Sequence, residues 1–198
     1  MSYAIVGAGN TGSALARQFA RRGIDVSITN KRGPQSLSPL VKELGKYVTA
    51  ATFADALRAD VVFLAIPFPA VPDLATAGID WNEKVVIDVT NAFGVPSETL
   101  AGQTSSEVVA SLLPGAAVVK AFNHLPARVL ALDPAQNGGK RVVFVSSNDE
   151  QASKTVEELA QQLGFAPVAL GRIDEGGRAL NIVPEGLLLH NLVEYDYD

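Results

Sequence analysis

Short runs of apolar and β-branched residues recur along this chain, separated by stretches whose apolar positions follow helical spacing. Tyr3–Val6, Val26–Thr29, residues 61–66, residues 85–89, Ala117–Ala121, residues 141–146 and residues 166–170 read as strands, with residues 46–50 as a further candidate. Most of these runs lack polar alternation, so both of their faces are expected to be covered, as in a parallel sheet with helices on either side. The predicted class is α/β, with a doubly wound, mainly parallel sheet. Two helices have legible limits. One spans Asn10–Arg22 and stops at Gly23. The other covers residues 149–163, opens on acids, sets Ala152, Val156, Leu159, Ala160 and Leu163 on one face, and stops at Gly164.

The first strand runs directly into Gly7-Ala8-Gly9-Asn10-Thr11-Gly12, so a strand, a G-x-G-x-x-G turn and a helix follow one another without a break. The three glycines have separate roles. Gly7 permits the tight turn, Gly9 lets backbone approach a pyrophosphate, and Gly12 lets the helix pack close to its strand. With Asn10 and Thr11 they form a candidate dinucleotide site, in which the pyrophosphate meets free amides at the positive end of a helix. Alone, the motif also describes an ordinary glycine turn before a helix. The flanking strand, the helix and a second strand at the right distance make it a Rossmann-type signature.

After the second strand the chain reads Thr29-Asn30-Lys31-Arg32-Gly33-Pro34, with no carboxylate where NAD-binding proteins hold the ribose hydroxyls. Asn30 can donate hydrogen bonds to a 2′-phosphate, and Lys31 or Arg32 can supply charge, Arg32 as a bidentate clamp. Adjacent basic residues are elsewhere often solvated loop charges; the position of this pair instead predicts NADP(H) as the cofactor.

Composition narrows the remaining chemistry. The absence of cysteine excludes disulfides, thiolate metal sites and thiol catalysis, and two histidines leave little material for a transition metal, so no metal is expected. A net charge of −5 argues against a general nucleic-acid partner. A 198-residue chain that is 47% hydrophobic can bury one sizeable core. Residues 1–170 are expected to form the nucleotide-binding domain and residues 171–198 a short extension of the same globular unit. The longest apolar runs are strand-sized, far below the ~20 residues of a membrane span, and the chain start shows no signal-peptide pattern. A cytoplasmic protein with a small-molecule partner and no membrane contact is expected. The extension, with Gly176-Gly177, Pro184 and an apolar segment at 187–189, is expected to form a short helix that finishes the active site or meets a second subunit in a homodimer. Its acidic end, residues 194–198, reads as a disordered terminus.

Further along, Ile66-Pro67-Phe68-Pro69 closes a buried strand with an apolar loop at the carboxyl edge of the sheet, where such sheets hold ligands. Ile66 and Pro67 are candidates to cover the nicotinamide and its ribose, although a purely structural loop looks the same. Asp88-Val89-Thr90-Asn91 delivers polar groups to the same edge: Asp88 reads as a cap for backbone donors, Thr90 and Asn91 as cofactor ligands. Lys120 ends a buried strand and reads either as a salt-bridge partner or as a general acid. His190 reads as a packing or surface residue.

The glycine turn, the basic loop at Asn30–Arg32, Asp88-Val89-Thr90-Asn91 and Val119-Lys120-Ala121-Phe122-Asn123 together resemble the coenzyme F420-dependent NADP oxidoreductases, whose NADP domain is also similar to the cytosolic portion of the six-transmembrane metalloreductases. The resemblance runs from Tyr3 to about Arg178. It implies a Rossmann domain with a small C-terminal extension, and hydride transfer between NADP(H) and a flat acceptor, coenzyme F420 or a flavin, stacked on the nicotinamide. The cofactors then carry the chemistry, and the protein supplies orientation and exclusion of water. The resemblance also places Asn123 near the nicotinamide and His124 near the acceptor ring, as candidate catalytic residues, with residues 176–187 beside the same pocket. His124 reads equally as a partly exposed loop residue. Two other functions fit these motifs: a redox sensor that binds NADP(H) without turnover, and a small imine or pyrroline reductase whose proton donor is His124 or Lys120. No separate basic cluster suits the acidic tail of coenzyme F420, which leaves quinones, imines and ferric chelates open as acceptors.

Overall fold

A computed structural model describes all residues except 77, 183–185 and 196–198. Among the described residues there are ten strands: β1 (Tyr3–Val6), β2 (Val26–Thr29), β3 (Val48–Ala50), β4 (Val61–Leu64), β5 (Val85–Asp88), β6 (Ala117–Ala121), β7 (Ala135–Gln136), β8 (Gly139–Ser147), β9 (Ala166–Ala169) and β10 (Val193–Glu194). The first six lie parallel in the spatial order β3-β2-β1-β4-β5-β6. Strand order therefore reverses between β1 and β4, and a crevice opens beyond their carboxyl ends, the place where doubly wound sheets hold ligands. Helices α1 (Asn10–Arg22), α2 (Ser38–Leu44), α3 (Phe53–Ala56), α4 (Pro72–Ala75), α5 (Ser105–Leu112), α6 (Ala127–Leu130) and α7 (Glu150–Gln162) accompany the sheet. The architecture is a Rossmann-type α/β fold. Among the described residues no helix is long and apolar enough to cross a membrane.

Local chemistry explains where the elements stop. Gly23 ends α1 in the left-handed conformation, with φ +68°. Asp149 opens α7 by accepting the Ala152 amide at 2.8 Å. The start of α5 is a capping box, in which Thr104 accepts from the Glu107 amide and the Glu107 carboxylate accepts from the Thr104 amide. Strands read at 61–66 and 85–89 are shorter than expected, because β4 and β5 give way to the loops that reach the crevice.

One strand departs from the parallel pattern. β8 is apolar on both faces yet runs antiparallel to β6, β7 and β10 and parallel to β9. The reversal comes from Asn137-Gly138, with φ of +51° and +87°, a two-residue hairpin loop where a crossover helix would have kept the direction. The extension after β9 forms a short 3-10 turn, Gly176–Leu180, and then β10, which pairs with β8. Leu180 and Leu187 pack with Val142 and Phe144 of β8. Pro184 and residues 196–198 lie outside the described residues, whereas Glu194, read as part of a disordered end, is paired with Lys140 in β10.

The core on one face is organised by a series of rings, Tyr3, Phe19, Phe63, Phe122 and Phe165, with successive centroids 5.4 to 5.8 Å apart. The opposite face packs Val62, Leu64, Val86 and Val118 against Trp81, Val109 and Leu113. Phe122 is fully buried at φ +60°, a conformation a bulky residue rarely adopts. Burying a ring of this size is worth roughly 1.5–3 kcal/mol. That gain offsets the backbone strain, of order 1–3 kcal/mol, and holds the turn that carries Asn123.

Candidate active site

The glycine turn is shaped for an anion. Gly7 has φ +109°, and a Cβ there would sit 2.2 Å from the Ala65 carbonyl oxygen; a Cβ on Gly12 would sit 1.8 Å from the Gly7 oxygen. Both positions exclude a side chain on packing grounds. Gly9 differs, since its φ of −77° suits any residue and a Cβ would meet nothing within 4 Å. Space is left open directly in front of α1, whose first turn has no acidic residue and no side-chain cap. Uncapped amides of Asn10, Thr11 and Gly12 at the positive end of a 13-residue helix, facing open space at Gly9, fit a pyrophosphate.

Beside the turn lies a cleft of about 820 Å³ lined by Val6, Gly7, Asn30, Lys31, Pro34, Phe53 and others, including Ile66 and Pro67. Ile66 and Pro67 thus share a cleft with the basic loop. The Asn30 amide is engaged within the loop: its Oδ1 accepts from the Arg32 backbone N–H at 2.9 Å and its Nδ2 donates to Ser36 Oγ at 3.0 Å. Asn30 shapes the loop. Lys31 Nζ pairs with Asp73 Oδ2 at 3.0 Å, so the tertiary fold brings a carboxylate where the local sequence has none. The pair is exposed and worth little. Arg32 is exposed, and its guanidinium has no partner among the described residues.

At the carboxyl ends of β5 and β6 a second group assembles. Asn91 Nδ2 donates to the Asn123 carbonyl, and Asn123 Nδ2 donates to Asn91 Oδ1 and to the Leu180 carbonyl, at 2.8 to 2.9 Å. Asn123 is buried, and its Oδ1 is left without a partner, an acceptor that a carboxamide N–H would satisfy. Thr90 is spent internally, its amide and hydroxyl both donating to Asp88 Oδ1. Asp88 also accepts from Ser106 Oγ and from Lys120 Nζ at 3.0 Å, in an ion pair that is almost wholly buried. Burial holds the Lys120 ammonium below the ordinary lysine range, with Asp88 pulling the other way. Next to this cluster a pocket of about 330 Å³ is lined by Asn91, Ser105, Gln103, Arg178, Asn181 and Ile182, among others. Sequence reasoning missed Ser105, Gln103 and Asn181, because only the packing of α5 and the 176–180 turn against β5 and β6 brings them together.

His124 does not join this group. It is 0% exposed, its ring meets Phe144 edge-on at 4.9 Å, and neither ring nitrogen has a hydrogen-bond partner. The sequence left His124 open between a place near the acceptor ring and a partly exposed loop; its ring instead lies in the core. Burial holds its pKa down at about 4, only partly opposed by the nearby Val142 backbone, so the ring is neutral at pH 7. Because the unfolded chain takes up that proton near 6.5 and the folded protein only near 4, stability falls as the pH drops through this interval. At about 1.36 kcal/mol per unit, the loss amounts to roughly 3 kcal/mol. Denaturant unfolding at pH 6.5 and 4 should show it, and His124→Leu should flatten it; an equally steep slope in the variant would contradict the assignment. His190 is exposed.

The sequence model of the family described as NADP oxidoreductase, coenzyme F420-dependent, matches residues 2–92. A hypothetical protein from Sinorhizobium meliloti is 45% identical, with 98% of this chain and 96% of that one superposing at a TM-score of 0.92. An Arthrobacter sp. FB24 protein provisionally described as an F420-dependent NADP-reductase is 28% identical, with 91% and 90% of the chains covered and a TM-score of 0.74. Mouse metalloreductase STEAP2 is 30% identical over 186 residues, 92% of this chain and 36% of its own. The chain therefore spans about a third of the length of the metalloreductases it matches. Residues 2–92, just under half of the chain, are thus similar to the coenzyme F420-dependent NADP oxidoreductase family.

Proposed function

We propose that the chain is an NADPH-dependent oxidoreductase that passes a hydride between NADP(H) and a flat, flavin-like acceptor such as coenzyme F420. One observation carries the reading. The candidate ligands follow β2, β1, β4, β5 and β6, five neighbouring strands in the sheet, as Asn30–Arg32, Gly7–Gly12, Ile66, Asn91 and Asn123. At about 4.8 Å per strand they form one line across the carboxyl edge. An extended dinucleotide has the matching order of parts: a phosphorylated ribose at the basic loop, a pyrophosphate at the α1 amides, and a carboxamide at the Asn91–Asn123 pair.

When bound, NADPH supplies the hydride. The protein's own work is placement. Uncapped α1 amides hold the pyrophosphate, Asn123 Oδ1 takes the carboxamide, and the Asn91–Asn123 pair fixes the ring edge against rotation. The pocket at Asn91, Ser105 and Asn181 would seat the acceptor beside it.

Selectivity for NADPH would rest on Arg32. Its charge-assisted contacts with a 2′-phosphate are worth roughly 1.5 kcal/mol at an exposed site, about a tenfold change in affinity. Arg32→Ala should weaken NADPH by that factor and leave NADH unchanged, as read by calorimetric titration; equal losses for both would sink the assignment. The activity itself is tested by anaerobic NADPH oxidation with coenzyme F420, flavin mononucleotide and a quinone offered in parallel and NADH as the control donor. Turnover with one acceptor supports the enzyme and names its class, whereas tight NADPH binding with no turnover on any of them favours a redox sensor.

A further inference from the structure

The buried Lys120–Asp88 pair has a feature that stabilisation alone does not require. All three Lys120 N–H donors are directed: to Asp88 Oδ2 at 3.0 Å, to the Thr90 carbonyl at 2.5 Å, and to Ser105 Oγ at 3.4 Å. Ser105 Oγ in turn donates to Asn181 Oδ1 at 2.9 Å. Ser105 and Asn181 both line the 330 Å³ pocket. The neighbouring Ser106 hydroxyl faces the other way, donating inward to Asp88 Oδ2 at 2.7 Å. Of the two adjacent hydroxyls at the start of α5, one closes the buried network and the other leads out of it.

We infer that Ser105 and Lys120 form a proton relay that serves the acceptor in this pocket, so that the substrate is one that gains a proton together with the hydride: a C=N or C=O bond, or a conjugated ring nitrogen. The inference rests on the oxidoreductase reading above. Ser105 is the group that touches the acceptor; Lys120 acts through it. In the reduction, hydride adds to the acceptor carbon or ring position and NADPH becomes NADP⁺. The Ser105 O–H bond breaks toward the acceptor heteroatom, which takes over the place held by Asn181 Oδ1. One Lys120 N–H bond breaks and its proton passes to Ser105 Oγ, leaving a neutral amine beside the Asp88 carboxylate. Water refills the relay through the emptied pocket once the product departs.

The polarity of the chain is what assigns this direction. Each link donates toward the pocket, from ammonium to hydroxyl to pocket wall, which is the order proton delivery needs. Asp88 on β5 is the charged group facing Lys120; the other partners of the ammonium are the Thr90 carbonyl and the Ser105 hydroxyl, while Ser106 donates to Asp88. The buried lysine gives up its proton more readily than a solvated one would, and Asp88 keeps it charged between turnovers.

The test has a readout that needs no acceptor. In ¹⁵N-labelled protein without cofactor, exchange of the Lys120 side-chain protons with water is followed by NMR in the unaltered protein, in Ser105→Ala and in Ser105→Thr. Ser105→Ala keeps the backbone hydrogen bond from Ser105 N to Asn181 Oδ1, so the turn should stay in place. Exchange is expected to slow at least about tenfold in the alanine variant and to recover in the threonine variant, and turnover of NADPH with flavin mononucleotide, coenzyme F420 or 1-pyrroline should fall on the order of 10²-fold in the first and recover in the second. Unchanged exchange in Ser105→Ala overturns the relay, as does slowed exchange with full turnover. A failure of the oxidoreductase reading looks different, since the unaltered protein itself would then turn over none of the three acceptors.

Discussion

Gly9→Ala should fold as the unaltered protein does and lose its cofactor. The backbone at Gly9 suits alanine, and the added methyl meets no protein atom within 4 Å. Its neighbour would be the pyrophosphate. Forcing a methyl into a contact of that kind costs about 1–3 kcal/mol, so NADPH affinity should drop roughly tenfold to a hundredfold with the unfolding midpoint unmoved. Gly12→Ala is the contrasting case. Its Cβ would fall 1.8 Å from the Gly7 oxygen, so α1 must shift, and stability and affinity should decline together. Titration of NADPH and thermal unfolding on both variants check the pair; an affinity unaffected by Gly9→Ala would mean that nothing approaches the turn there.

Lys120→Met leaves Asp88 charged, buried and without its ammonium partner. Removing one member of such a pair costs about 3–5 kcal/mol, and for a chain of this size each kcal/mol moves the melting temperature by about 2–4 °C. The double variant Lys120→Met, Asp88→Asn removes the charge as well and should regain most of that loss, since the asparagine still accepts from Thr90. Denaturant unfolding of the single and double variants reads the difference. A single variant within about 1 kcal/mol of the unaltered protein, a third or less of the expected cost, would show that the pair contributes little. This stability effect is separate from the relay, which Ser105→Ala addresses without disturbing the ion pair.

Much of the sheet was legible because its strands obey local rules. β1, β2 and β6 coincide with their apolar runs, and α1 lies between its glycine turn and Gly23 as read. The antiparallel β8 could have been anticipated from Asn137-Gly138, a strong hairpin signal, which apolarity on both faces obscured. The glycine turn was legible because a side chain is excluded at Gly7, by its positive φ and close packing, and at Gly12, by close packing. Site residues were less legible where side chains choose among partners. Asn30 and Thr90 look like ligands in sequence but spend their polar atoms on Ser36, Arg32 and Asp88. His124, adjacent to Asn123, is buried against Phe144 because the strained turn at Phe122 sends neighbouring side chains into different surroundings. Asp73 and Asn181 come from distant segments, 42 positions from Lys31 and 76 from Ser105, and no local pattern announces them.

NADP(H) binding is tested most directly by calorimetric titration of the purified protein with NADPH and, separately, with NADH. One site per chain, with NADPH the tighter ligand and its advantage shrinking as salt is added, is the predicted result, because the preference resides in an exposed guanidinium and a 2′-phosphate. Equal affinities, or no binding of either dinucleotide, would contradict it.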